Sequence, residues 1–77
     1  MAMKELLEYL AKALVDKPEE VDVSQVEGER SVILELRVHP EDMGKVIGKQ
    51  GRIAQALRTI VKAAAVKDGK RVMIEII

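Results

Sequence analysis

The residues of this chain best suited to chemistry form one short run, Val46-Ile47-Gly48-Lys49-Gln50-Gly51-Arg52-Ile53. Two glycines three positions apart enclose a polar pair, with helix-forming, largely aliphatic sequence on both sides. A glycine inside a helix costs roughly 1 kcal/mol relative to alanine, so the pair marks a break where backbone is left bare. A bare loop that opens a new helix suits a phosphate group. Its amides point outward, and the helix dipole places partial positive charge at the same spot. Lys49 adds a point charge there, and Gln50 and Arg52 add hydrogen-bond donors. A plain helix cap followed by a tight turn would need only one glycine.

Other chemistries fit less well. The run Gly44-Lys45-Val46-Ile47-Gly48-Lys49-Gln50 has one residue too few between its glycines for a Walker A loop. Gln50 also stands where a Ser or Thr would hold magnesium. The Gly44/Gly48 spacing matches a membrane GxxxG, but the flanking charges exclude it. His39 is the sole histidine and sits where a helix begins, as a capping or surface residue. Ser24, Ser31 and Thr59 have no histidine or lysine base in their sequence context, and Glu41-Asp42 reads as helix-dipole chemistry. The expectation is a protein without catalytic residues, cofactor or metal.

The elements that must position the loop belong to a small domain. A chain of 77 residues has room for one domain, expected over residues 1–77, and buries only about 60% of its unfolded surface. It has no cysteine, which fits a reducing cytosolic home. Lys4, Glu5, Glu8 and Lys12 interrupt Met1 to Leu14 and exclude a signal-peptide core, and no apolar run approaches the ~20 residues of a membrane span. The expected location is the cytoplasm, with no membrane insertion. The net charge of zero hides an asymmetry: residues 1–42 carry −6, residues 43–71 carry +7, and Glu75 supplies the rest. The basic block holds the glycine loop together with Lys45, Lys49, Arg52, Arg58, Lys62 and Arg71, which suggests a polyanion partner on one face.

Met3, Leu6, Leu7, Leu10, Ala13 and Leu14 recur at helical spacing and predict an amphipathic helix over residues 3–15, stopped at Asp16-Lys17-Pro18. Val21, Val23 and Val26 suggest a first strand with a slip of register around Ser24-Gln25. After a turn at Gly28-Glu29, Val32, Leu34, Leu36 and Val38 alternate with a mixed face that includes Ile33, as in a sheet covered on one side by helices. Pro40-Glu41-Asp42 starts a short helix that runs to the glycine loop, and a longer helix follows from Arg52 to about Val66. Asp68-Gly69-Lys70 turns the chain into a last strand, Arg71 to Ile77, which a right-handed crossover places parallel to strand 31–38.

In this αββααβ order, Ile47-Gly48-Lys49-Gln50-Gly51 between two helices resembles the GxxG loop of a K homology (KH) domain. The order itself resembles the type II arrangement and covers the whole chain: an α+β fold with a three-stranded sheet and three helices packed on one face. The longer run from His39 to Ala54 is similar to the small stand-alone bacterial KH proteins of the KhpA (YlqC-like) family. Many KH domains place a large aliphatic residue three positions after the second glycine. Here that position is Ala54, with Ile53 one residue earlier to fill the space. The resemblance implies that the loop clamps about four nucleotides of single-stranded RNA by their backbone. It implies that Gly48 and Gly51 allow close approach, with electrostatic support from Lys45, Lys49, Arg52 and Arg58. Ile47, Ile53 and Leu57 would be an aliphatic floor, although aliphatics at helical spacing serve equally as core. The strand from Arg71 to Ile74 would be the opposite wall.

The same resemblance implies a non-enzymatic post-transcriptional regulator or RNA chaperone that self-associates. It also implies pairing with a larger KH protein of the KhpB (Jag-like) type and a link to cell-envelope growth and division. A rival reading makes the KH surface mainly a dimer interface. The apolar end Met73-Ile74-Glu75-Ile76-Ile77, on an expected edge strand, favours it. Tyr9 is the only aromatic residue and lies far from the loop in sequence, so stacking worth ~1–3 kcal/mol per base is missing there. An isolated monomer is therefore expected to bind a four-nucleotide RNA with micromolar or weaker affinity, measurable by fluorescence anisotropy. Nanomolar binding by a monomer would contradict this.

Overall fold

The computed structural model describes residues 2–77; Met1, the first residue of the expected domain, lies outside them. Helical spacing of apolar residues builds α1, Met3–Leu14, which buries Met3, Leu7 and Ala11. The helix ends where Val15 turns extended ahead of Pro18, and a 3₁₀ turn over Pro18–Glu20 leads into β1, Asp22–Glu27. β2, Ser31–Arg37, returns antiparallel to β1, with the turn closed by the Gly28 amide donating to the Ser31 carbonyl at 2.8 Å. A 3₁₀ turn over Pro40–Asp42 opens α2, Met43–Ile47. The glycine loop joins it to α3, Arg52–Lys67, and the chain returns as β3, Arg71–Ile76.

The sheet has the order β1-β2-β3, with β3 parallel to β2 from Ser31↔Arg71 to Leu36↔Ile76. All three helices pack on one face, so the fold is α+β in the αββααβ order. Val32, Leu34 and Leu36 of the central strand have no exposed surface and meet Leu7, Val46 and Val61 from the three helices. Burying side chains of this size contributes about 1.5–3 kcal/mol each.

The expected slip in the first strand does not occur. Pairing of β1 with β2 runs unbroken from Asp22↔Arg37 to Glu27↔Val32. With a period of two and Val23 inward, Val26 must point to the face away from the helices, where it is exposed. Val26 pairs there with Ile33.

Asp42, expected to favour the positive end of the following helix, instead turns inward. It is buried, makes no cap bond to α2, and accepts the backbone amides of Lys17 at 3.0 Å and Asp16 at 3.4 Å. Lys45 stands 3.7 Å from the same carboxylate and also pairs with Asp16. This knot ties the exit of α1 to the start of α2 and so fixes the helix that leads into the loop. Burial alone would raise the Asp42 pKa. The two amides and the charges of Lys45 and Lys17 outweigh it and hold the carboxyl below its ordinary 3.8. Lys45 moves the other way: its hydrogen bond to Asp16 and the attraction of both carboxylates outweigh desolvation and raise it above 10.5.

A carboxyl with a lowered native pKa stabilises the fold fully above its unfolded value, and that contribution disappears as the pH falls through the native value. Asp42→Asn is therefore expected to lower the urea midpoint at neutral pH. The gap from the parent protein should close as the pH falls below 3.8. A gap that stayed constant in acid would show that the charge on Asp42 is not what matters.

Candidate nucleic-acid interface

α2 ends on Gly48, whose amide donates to the Gly44 carbonyl at 2.8 Å. Gly48 then takes φ 76° and ψ 174°, a region essentially closed to side chains. Gln50 and Gly51 both adopt left-handed geometry, with φ 58° and 72°, before α3 starts at Arg52. Within this turn the Gly51 amide donates to the Gly48 carbonyl at 3.2 Å, and the Arg52 amide donates to the Lys49 carbonyl. The amides of Lys49 and Gln50 are left without a backbone partner in the turn. A non-glycine residue in left-handed geometry costs roughly 1–2 kcal/mol, so Gln50 is held there by the structure around it.

Steric fit adds a second demand at Gly48. A Cβ built there would lie 2.6 Å from Ile53 Cγ1 and 2.9 Å from Ile53 Cβ and Cδ1. Ile53 thus folds back over the first glycine and half-fills the space beside the loop, while Ala54 behind it is buried. A Cβ on Gly51 would meet nothing within 4 Å, so backbone geometry alone calls for glycine there.

The electrostatics favour an anion. α3 has no acidic residue in its first turn and no side-chain cap, which leaves the positive end of a 16-residue helix open at Gly51. Lys49, Gln50 and Arg52 are exposed around it, and Arg52 donates to Gln50 Oε1 at 3.3 Å. Among the described residues, Lys49, Arg52, Arg58, Lys62, Lys67 and Arg71 have no acidic partner within salt-bridge distance. Lys70 pairs with Glu27 at 3.1 Å. Lys45 is committed to the Asp16–Asp42 knot, so its charge is largely answered before any ligand arrives.

The other expected site residues divide in two. Ile47 and Ile53 are half-buried at the loop, with surface to offer, whereas Leu57 is buried in the core and supports the loop from below. Arg71 does not adjoin the loop. β3 runs back along α3, so Arg71 lies near the last turns of that helix, ~20 Å from Arg52 at 1.5 Å per residue. There, Lys62, Ala65 and Val66 of α3 face Ser31, Arg71, Val72 and Met73 across an open groove of about 500 Å³. No local sequence signal marks Lys62, Val66 and Met73 as groove residues, because the helix and strand meet only after β3 has paired with β2. His39 has a structural duty: its Nδ1 accepts the Glu41 amide at 3.1 Å and caps the turn before α2.

Gly48→Ala is expected to destabilise the fold by about 1–3 kcal/mol through backbone strain alone, with the Ile53 clash in addition. Gly51→Ala should cost less, about 1–2 kcal/mol. In a double-mutant cycle followed by urea unfolding, Ile53→Ala should recover the steric part of the Gly48→Ala loss and leave the backbone part. Strict additivity of the two changes would refute the close contact.

Comparison with known proteins places this geometry. The family model described as KhpA/KhpB, KH domain, matches residues 4–76. A relative in Clostridium perfringens, named RNA-binding protein KhpA, is 71% identical over 97% of this chain and 100% of its own length. One of the same name in Clostridium acetobutylicum is 72% identical over the same shares. Among solved structures, Era from Aquifex aeolicus superposes with a TM-score of 0.70 at 17% identity, covering 96% of this chain. The chain spans only 29% of that structure's length, so the likeness is one of fold. A GxxG turn between two helices of an αββααβ domain, in a sequence matched almost end to end, makes this chain a member of the KhpA/KhpB KH-domain family.

Proposed function

We propose that this chain is a non-enzymatic binder of single-stranded RNA, a single KH domain that grips the sugar-phosphate backbone with its Gly48–Gly51 loop. The observation that carries this reading is the open turn at the start of α3. Among the described residues, two amides there have no backbone acceptor in the turn, no side chain caps the helix end, and Lys49 and Arg52 have no acidic partner within salt-bridge distance. Phosphate oxygens satisfy all three at once. Close relatives named as RNA-binding proteins support the choice of RNA.

The strand of RNA approaches the backbone at Gly48 and Gly51, where no side chain intervenes. The amides of Lys49 and Gln50 donate to a phosphate, and Lys49 and Arg52 neutralise it and its neighbour. Bases rest on the half-buried faces of Ile47 and Ile53, with Leu57 as the layer beneath. Arg58 and Lys62, one helical turn apart, continue the positive track along α3 toward Arg71. Without aromatic stacking the grip is modest and tolerant of sequence. That suits a cytoplasmic post-transcriptional regulator or RNA chaperone that samples many RNAs. The resemblance of the His39–Ala54 run, and it alone, implies a larger KhpB (Jag-like) KH protein as partner and a place in cell-envelope growth and division control.

The combined change Lys49→Asp and Gln50→Asp puts two carboxylates where the phosphate sits and leaves the apolar pattern intact. It is expected to abolish RNA binding in a gel shift while the circular dichroism spectrum is retained. The parent protein's affinity should fall with salt, by a slope of about 0.7 per phosphate contact. Binding that persists unchanged in the double variant would refute clamping by the loop.

A further inference from the structure

Among the described residues, two lysines of the basic half stand in ion pairs, and they are held differently. Lys45 lies between the exposed Asp16 and the buried Asp42, in the knot that ties α1 to α2, so this cation is structural. Lys70 has one acidic partner, Glu27, at 3.1 Å, and the two side chains are 28% and 52% exposed. Register sets Glu27 opposite Val32 and Val32 opposite Val72, so Glu27 stands two strands away from β3, about 10 Å. Lys70 immediately precedes β3 and lines the groove with Lys62 and Arg71, yet its Nζ is drawn across to β1. Gln25 Nε2 also donates to Glu27 Oε1, at 3.2 Å, so the carboxylate keeps a partner when the lysine leaves.

We propose that Lys70 is a further phosphate contact of the RNA track and that Glu27 is the latch that holds it back until RNA arrives. This rests on the reading that RNA runs from the Gly48–Gly51 loop along α3 toward Arg71. In the free chain, Lys62 and Arg71 are open cations at the groove, while Lys70 is answered by Glu27. An anion that reaches the groove thus meets two free positive charges rather than three. A phosphate held there by Lys62 and Arg71 offers Lys70 a second acceptor. Exposed ion pairs are weak, so the exchange costs little. Lysine suits it, because a compact charge on a flexible four-carbon stem changes acceptor without any movement of the backbone. The loop then decides whether RNA is held at all, and Glu27 decides how firmly its far end is held. The groove lies ~20 Å from Arg52 along α3, which at 3.4 Å per stacked nucleotide is about six nucleotides beyond the loop. The latch is felt by an RNA of about 12 nucleotides and not by one of about four.

Fluorescence anisotropy with single-stranded RNAs of these two lengths tests the latch, with circular dichroism to check that each variant is folded. Glu27→Gln keeps the size of the side chain and removes its charge. It is expected to tighten binding of the longer RNA by about two- to fivefold, the range of one exposed ion pair, and to leave the shorter unchanged. Lys70→Gln should weaken binding of the longer RNA and lower its salt slope by about 0.7, one phosphate contact. In the Lys70→Gln background the gain from Glu27→Gln should vanish, because the acid then has no cation to hold. Glu29, in the same turn and without a basic partner among the described residues, controls for charge alone. Glu29→Gln should change the affinity less than Glu27→Gln does. The proposal is overturned if Glu27→Gln gives no gain, if Glu29→Gln gives an equal one, or if the gain survives Lys70→Gln. The loop variant Lys49→Asp with Gln50→Asp separates the two readings. If it binds the longer RNA like the parent, the clamp fails and the latch with it. If it loses binding while Glu27→Gln gives no gain, the latch alone fails.

Discussion

Parallel pairing of β3 with the buried central strand β2 is the constraint from which the rest follows. Two parallel neighbours cannot be joined by a tight turn, so the chain must cross the covered face of the sheet between Arg37 and Arg71. That crossing is made by two helices, and the break between them is the glycine loop. The core side chains Val32, Leu34 and Leu36 hold the strand that both neighbours share, and the helices are held against the same three residues. Loosening β2 would therefore release the sheet and the loop together.

Within that frame the loop is positioned from both sides. On the α2 side, Asp42 binds the amides of Lys17 and Asp16 and so ties the end of α1 to the start of α2. On the α3 side, Ile53 packs back over Gly48, which only a residue without a Cβ permits. The strained φ of Gln50 is carried between these anchors. This arrangement leaves the Lys49 and Gln50 amides without a backbone partner in the turn.

Charge is distributed by the same logic. The acids of the first half answer Lys12, Lys17, Lys45 and Lys70 through ion pairs, and six of the cations without an acidic partner among the described residues run from Lys49 along α3 to Arg71. A chain with no net charge thus presents a positive track on one side. Non-specific attraction to polyanions is limited by the overall neutrality, and the local field at the uncapped helix end supplies direction instead.

The element order, the helix and strand identities and the glycine loop were legible in the sequence, because each depends on local periods and on backbone preferences of a few neighbouring residues. Helical spacing in α1, alternation in β2 and the paired glycines all report such local physics. Three things were decided only by the tertiary structure. Val26 turned outward because unbroken pairing with β2 fixed its face, overriding the valine spacing that suggested a slip. Asp42 became a buried anchor because the exit of α1 arrived with two amides to satisfy, 25 and 26 residues away in sequence. The groove beside Arg71 arose because the crossover brought β3 alongside β2. Local sequence determines which elements form and where the backbone must be bare. Which residues share a face, a row or a cavity is set by register and packing between distant segments, which no local pattern encodes.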